Sequence, residues 1–192
     1  METLDKRHSF FKSDFKTRAT DDGKKYISGY FAVFNQETQL WDDVYEEISP
    51  TAFDNALKND DVRCLFNHND DIVLGRTKNQ TLILRADNFG LWGEVEINQA
   101  DTEALNAYER IKRGDITGCS FGFDVVSEKM TDRGQTFLYT VEDLKLFEVS
   151  PCTFPEYPQT EIQSRKKQYE QTQKRTVQQQ KTELKKRLEA MK

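Results

Sequence analysis

Strand-like runs far outnumber helical ones in this chain, and that imbalance limits the folds open to it. YISGYFAVF (26–34) is aromatic and β-branched, and VYEEI (44–48) alternates apolar and acidic residues as a half-buried strand does. VRCLFNHND (62–70) starts as a strand and runs out into the polar Asn67-His68-Asn69. IVLGR, TLILRA and LWGEVEI follow, the last two joined by Asp87-Asn88-Phe89-Gly90 as a turn, and ITGCSFGFDVV, TFLYTV and LKLFEVS complete the set. Two segments read as helices. Ser49-Pro50 supplies an N-cap and a first-turn proline ahead of TAFDNALKN, where Phe53, Ala56 and Leu57 share a face. Asp101 or Thr102 opens TEALNAYERIKR, with Ala104, Leu105, Tyr108 and Ile111 as an apolar stripe and Gly114 as a stop. The pattern predicts an α+β domain, antiparallel-rich or closed into a barrel, and excludes alternating βαβ units.

A length of 192 residues suffices for one core of ordinary size with an appendage. Residues 1–25 are polar and read as a loosely held arm. Pro151, Pro155 and Pro158 close the folded region, and residues 161–192 form a Gln/Lys-rich tail. Val177, Leu184 and Met191 recur there every seven residues, a heptad too short to stand alone, so the tail reads as a partner-dependent helix or as disordered. From Ile162 onward ten Lys/Arg face three Asp/Glu, against 18 and 30 in residues 1–161, so an acidic body carries a basic tail. Tyr169 is the sole aromatic residue in that tail, which argues against sequence-specific nucleic-acid binding. No run of 18 apolar residues exists and the first residues lack the apolar core of a secretory signal, so neither a membrane span nor export is expected. Cys64, Cys119 and Cys152 form no C-x-x-C pair; they read as reduced thiols, and no metal or cofactor is expected.

Gly118-Cys119-Ser120-Phe121-Gly122 matches the G-x-S-x-G pattern of a nucleophile elbow. A serine nucleophile needs a base, and this chain has only His8, in the polar arm, and His68, at the end of a strand. An α/β-hydrolase is excluded, because no histidine follows Ser120 and FDVVSEKM is a poor helix. On a strand, Cys119, Phe121 and Phe123 point one way, and Ser120, Gly122 and Asp124 the other. A thiol at Cys119 would therefore be a packing group. Taken alone, a serine among glycines and phenylalanines is more often a plain strand residue than a nucleophile.

Three segments in order, LFNHNDDIVLGR (65–76), RIKRGDITGCSFGF (110–123) and LKLFEVSPCTFPEYP (144–158), resemble the tailed-phage prohead (capsid maturation) serine proteases, distant relatives of the herpesvirus assemblins. GYFAVFNQ and VYEEISPTAFDNAL match the family's opening pattern, so the resemblance spans residues 26–160. It implies a mostly antiparallel, closed assemblin-like β-barrel with a few short helices. It implies His68 as general base, Ser120 as nucleophile and Glu148 as the residue that orients the imidazole, with Asp124 and Asp70 as alternative orienting carboxylates. Assemblins use a second histidine there, and a carboxylate is expected to serve here. The implied substrates are the scaffold-like segment of the phage major capsid protein and the protease itself, inside a procapsid assembling in the host cytoplasm. Activity only as a homo-oligomer or when crowded in the procapsid is an arrangement the resemblance leaves open. The alternative is a non-catalytic assembly or scaffolding protein that keeps the fold.

Overall fold

The computed structural model describes residues 7–154. These residues form β1 (Arg7–Lys12), β2 (Lys16–Ala19), β3 (Lys25–Val33), β4 (Thr38–Trp41), β5 (Val44–Ile48), α1 (Ala56–Asn59), β6 (Arg63–Phe66), β7 (Asn69–Arg76), β8 (Leu82–Ala86), β9 (Gly90–Glu96), α2 (Thr102–Arg113), β10 (Gly118–Asp132) and β11 (Phe137–Cys152). The tail expected over 161–192 lies outside the described residues.

β11 organises the larger, seven-stranded sheet, whose main path runs β1-β10-β11-β5-β4. One edge of β11 pairs antiparallel with β10 along its length. Its other edge pairs in parallel twice, first Phe137–Val141 with β5 and then Glu148 and Val149 with Arg63 and Cys64 of β6. β6 continues antiparallel into β7. The smaller sheet, β2-β3-β9-β8, is wholly antiparallel. Ile27, Phe31, Leu91 and Val95 from the smaller sheet join Ile48, Phe121, Leu144 and Leu146 from the larger in one buried apolar cluster.

The architecture is mostly β, with few helices, and corrects the expectation of a closed barrel: no barrel closes among the described residues. Closure requires the terminal strands of one sheet to pair with each other. Here β11 shares a single edge between β5 and β6, so the sheet branches there, and the remaining strands form a second sheet.

Most strand centres fall where alternation predicted them, and VYEEI is β5 to the residue. α2 also follows its sequence signals. The Asp101 carboxylate accepts from the backbone N–H groups of Glu103 and Ala104, and Gly114 ends the helix at φ 88°, a left-handed conformation that suits glycine. The first helix is shorter than TAFDNALKN suggests, covering only Ala56–Asn59. Upstream of it, i→i+3 bonds from Ala52 N–H to Ser49 O (3.1 Å) and from Asp54 N–H to Thr51 O (3.1 Å) hold the chain in turns.

Two further differences matter. TFLYTV and LKLFEVS are one continuous strand, and β10 runs through the polar, exposed SEKMTD to form a long ribbon with it. Arg7–Lys12 and Lys16–Ala19, expected within a loose arm, are the strands β1 and β2. The reason is the alternation in His8-Ser9-Phe10-Phe11. Ser9 and Phe11 are buried, and the Phe11 ring stacks on Phe121 with centroids 6.1 Å apart. No helix among the described residues is long and apolar enough to cross a membrane.

Candidate active site

Strand register decides which side chains meet on the face opposite the core. β1, β10 and β11 lie side by side, and three cross-strand rows follow: His8–Gly122–Glu148, Phe10–Ser120–Ser150 and Lys12–Gly118–Cys152. Cys119, Phe121 and Phe123 are buried in the apolar cluster, with the Phe121 and Phe123 rings 4.9 Å apart. Alternation therefore turns Ser120 and Gly122 to the other face, as the sequence predicted.

The turn between β6 and β7 delivers His68 to that face. Asn67 and His68 both have positive φ, 54° and 59°, the signature of a two-residue type I′ hairpin. Asparagine enters this conformation readily, and histidine more often than most residues. Asn67 also ties the turn to the end of β11. Its backbone N–H donates to Pro151 O at 3.1 Å, its Nδ2 to Thr153 Oγ1 at 3.2 Å, and its Oδ1 accepts from Thr153 N–H at 2.8 Å.

So held, His68 places Nδ1 at 2.6 Å from Glu148 Oε1. A carboxylate only accepts, so the proton of this bond sits on Nδ1 and the Nε2 lone pair of a neutral ring stays available. Ser150 Oγ donates to Glu148 Oε2, also at 2.6 Å. Both carboxylate oxygens are thereby engaged, and the Glu148 side chain is only 10% exposed. Asp70, the alternative orienting carboxylate on β7, is exposed. Asp124 is buried further along β10, in register with Lys145.

His8 is the residue that sequence reasoning missed. It sits on β1 with Nε2 3.6 Å from Glu148 Oε1, and its ring is 4.4 Å from that of His68 in an edge contact. Phe10, next on the same strand face, packs edge-on against His68 at 5.6 Å. The signal was present in the period-two pattern of residues 8–11, inside a stretch that otherwise looks like a solvated arm. Gly122 makes the contact possible: a Cβ there would lie 2.7 Å from Glu148 Oε1 and 3.2 Å from His8 Nε2. The ligand-capable atoms of His8, His68 and Glu148 all lie within 4.8 Å of one another.

Ser120 is fully buried and its Oγ has no hydrogen-bond partner among the described residues. His68 Nε2 lies 3.6 Å from Cys152 Sγ. That thiol is not a ready nucleophile, since burial, reinforced by the negative charge of Glu148, holds it protonated far above the usual thiol range. Burial likewise pushes the Cys119 thiol up to about 12, and its Sγ–H donates to Phe11 O at 3.4 Å. Cys64 is raised well above the ordinary value by burial first and the Glu148 charge second. The face thus carries the Ser120 hydroxyl, the His68 imidazole with an accepting nitrogen and the Glu148 carboxylate behind it, alongside Ser150 and His8; a hydroxyl, an imidazole and a carboxylate are the parts of a nucleophilic hydrolase.

No curated protein matches the chain. Among solved structures, the capsid assembly protease of bacteriophage T4, gp21, shares the fold, with a TM-score of 0.52 at 12% identity over 78% of this chain and 98% of that one. The family model described as caudovirus prohead serine protease matches residues 13–175, most of the sequence. The chain belongs to the caudovirus prohead serine proteases.

Proposed function

We propose that this protease cleaves the scaffold-like segment of its phage's major capsid protein, and its own chain, inside the assembling procapsid. Ser120 is the nucleophile, His68 the general base and Glu148 the residue that holds and charges-balances the imidazole. The observation that carries the reading is the 2.6 Å contact between His68 Nδ1 and Glu148 Oε1. It holds the ring in the tautomer that a base needs, beside the strand that carries the buried Ser120 hydroxyl, which has no hydrogen-bond partner among the described residues.

In the proposed reaction His68 Nε2 takes the Ser120 proton as Oγ bonds to the scissile carbonyl carbon. Glu148 stabilises the imidazolium that results. Collapse breaks the C–N bond, and the leaving amine takes its proton from Nε2. Water, deprotonated by the same nitrogen, then hydrolyses the acyl-Ser120 ester. No hydrogen bond joins His68 and Ser120 among the described residues, and catalytic hydrogen bonds often tighten only once substrate is bound. Backbone N–H groups are the expected oxyanion donors.

A basic tail over 161–192 is suited to tether the enzyme to an acidic or helical scaffold segment before self-cleavage removes it. A non-catalytic scaffolding role would leave the part-buried His68–Glu148 pair without a purpose. Co-expression with the capsid protein of the same gene cluster, read by intact mass, tests the proposal. Discrete truncation of the capsid protein that disappears in Ser120→Ala is the expected result. Full-length capsid protein with the wild-type enzyme, including in assembled procapsids, would overturn it.

A further inference from the structure

The geometry points to a second property of the same face: His8, His68 and Glu148 form a binding site for one divalent transition-metal ion of borderline softness, of which Zn²⁺ is the type, and occupancy silences the protease. The donor set of two imidazoles and one carboxylate is a familiar one for zinc, with a fourth position left to water. Spacing fits as well. Tetrahedral Zn²⁺ with bonds of about 2.0–2.1 Å holds its ligand atoms roughly 3.4 Å apart. His8 Nε2 and Glu148 Oε1 are already 3.6 Å apart, and all three donors lie within 4.8 Å of one another. His68 Nδ1 and Glu148 Oε1 are closer, at 2.6 Å, because a proton now lies between them. Exchanging that proton for the ion opens the pair by less than about 1 Å.

The site is also built and reachable. Cross-strand register sets His8 and Glu148 on either side of Gly122, and the anchored turn sets His68. Ser150 holds the other carboxylate oxygen, an outer contact of the kind that orients a metal-ligating carboxylate. The two histidine side chains are 20% and 24% exposed, so an ion can enter. The ligands come from positions 8, 68 and 148, so no short spacing motif announces them, and the site departs from the sequence-based expectation of no metal. His8 precedes residue 13, where the family match begins, so the third ligand is supplied from outside the matched region.

Inhibition follows from proton placement. An ion bound to Nδ1 occupies that lone pair and moves the ring proton to Nε2, with no net proton change for a neutral imidazole. His68 then has no lone pair left to accept the Ser120 proton, and Glu148 is bound to the ion. This consequence rests on the proposed roles of His68 and Glu148; the binding does not.

The test is titration of the full chain with ZnCl₂ in a Ser120→Ala background, which removes self-cleavage, followed by calorimetry and a zinc K-edge absorption spectrum. One equivalent bound, two imidazoles and oxygen donors in the spectrum, and affinity at least tenfold weaker in His8→Gln but unchanged in Cys152→Ser are the expected results. No binding, a sulfur scatterer, or equal affinity in a folded His8→Gln protein would overturn the site. The spectrum decides even if the His8 variant fails to fold. Proteolysis by the otherwise unmodified chain should stop with Zn²⁺ and return with EDTA. Unchanged turnover by a zinc-loaded enzyme removes the inhibitory role. A chain that binds zinc yet never cleaves capsid protein, even metal-free and in assembled procapsids, instead counts against the triad.

Discussion

His8 and Glu148 meet across the bare backbone of Gly122, Nε2 to Oε1 at 3.6 Å. The glycine in the middle strand is what lets side chains from the two outer strands share one space. Gly122→Ala puts a methyl group 2.7 Å from Glu148 Oε1, so the carboxylate must shift from His68. Displacements of this size at a reacting pair cost on the order of 10²-fold in turnover. The expected outcome is a drop in kcat of that order with the thermal midpoint nearly preserved. An active Gly122→Ala enzyme would show that the Glu148 position is not critical.

Ser120, His68 and Glu148 should fail as a unit. Ser120→Ala or His68→Ala should each lower turnover by about 10⁶-fold, with the double variant scarcely worse. Glu148→Gln should cost less, about 10⁴-fold, since the ring keeps its place but loses its charge partner. Single-turnover kinetics on a capsid-derived peptide measure all four, and additive losses would separate the residues into different roles.

The cysteines should be chemically silent at neutral pH. With Cys119 pushed up to about 12 and Cys152 also raised, the thiolate that iodoacetamide needs is scarce. Cys152→Ser is expected to keep proteolysis within severalfold of wild type, although Cys152 faces His68 at 3.6 Å. Loss of activity on brief alkylation of the folded enzyme would point to a thiol mechanism.

The same thiols set an alkaline limit on stability. An unfolded Cys119 thiol releases its proton near the ordinary value of 9.0, whereas the native one retains it to about 12. Between those values the native state binds more protons than the unfolded one, so stability falls as pH rises, by roughly 1.4 kcal/mol per pH unit for such a group. Below pH 9 its contribution is fully present. Urea midpoints measured from pH 7 to 11 should decline above about 9, and less steeply in Cys119→Ala.

Phe121 is the residue whose loss should unfold the site from below. It is fully buried, stacks on Phe11 and Phe123, and meets Phe53 edge-on at 5.4 Å. Phe121→Ala should cost about 3–5 kcal/mol, read from the urea denaturation midpoint. A loss under about 1 kcal/mol would mean the core around it can collapse to fill the space.

Much of this molecule can be read from residue order alone, where the physics is local. Alternation located strand centres such as VYEEI, and Asp101 and Gly114 bracketed α2 because capping chemistry acts within a few residues. His68, Ser120 and Glu148 stood out through their surrounding motifs, and the structure draws His68 and Glu148 together. Legibility ends where partners are distant in sequence. Nothing near His8 tells that its strand will pair with the one carrying Ser120. The polar outer half of β10 carries no apolar alternation, because its side chains from Val126 onward are exposed. Branching of the sheet at β11 depends on two parallel pairings that no local pattern encodes.

The hairpin that carries His68 has the fewest residues such a loop can use, with Phe66 paired directly to Asn69. Surface loops ordinarily absorb insertions at little thermodynamic cost. This one has no slack to absorb them. A single added residue would change the turn type, release Asn67 from Pro151 and Thr153, and swing the imidazole off Glu148. Length is therefore as strict a requirement on residues 66–69 as the identity of His68 itself.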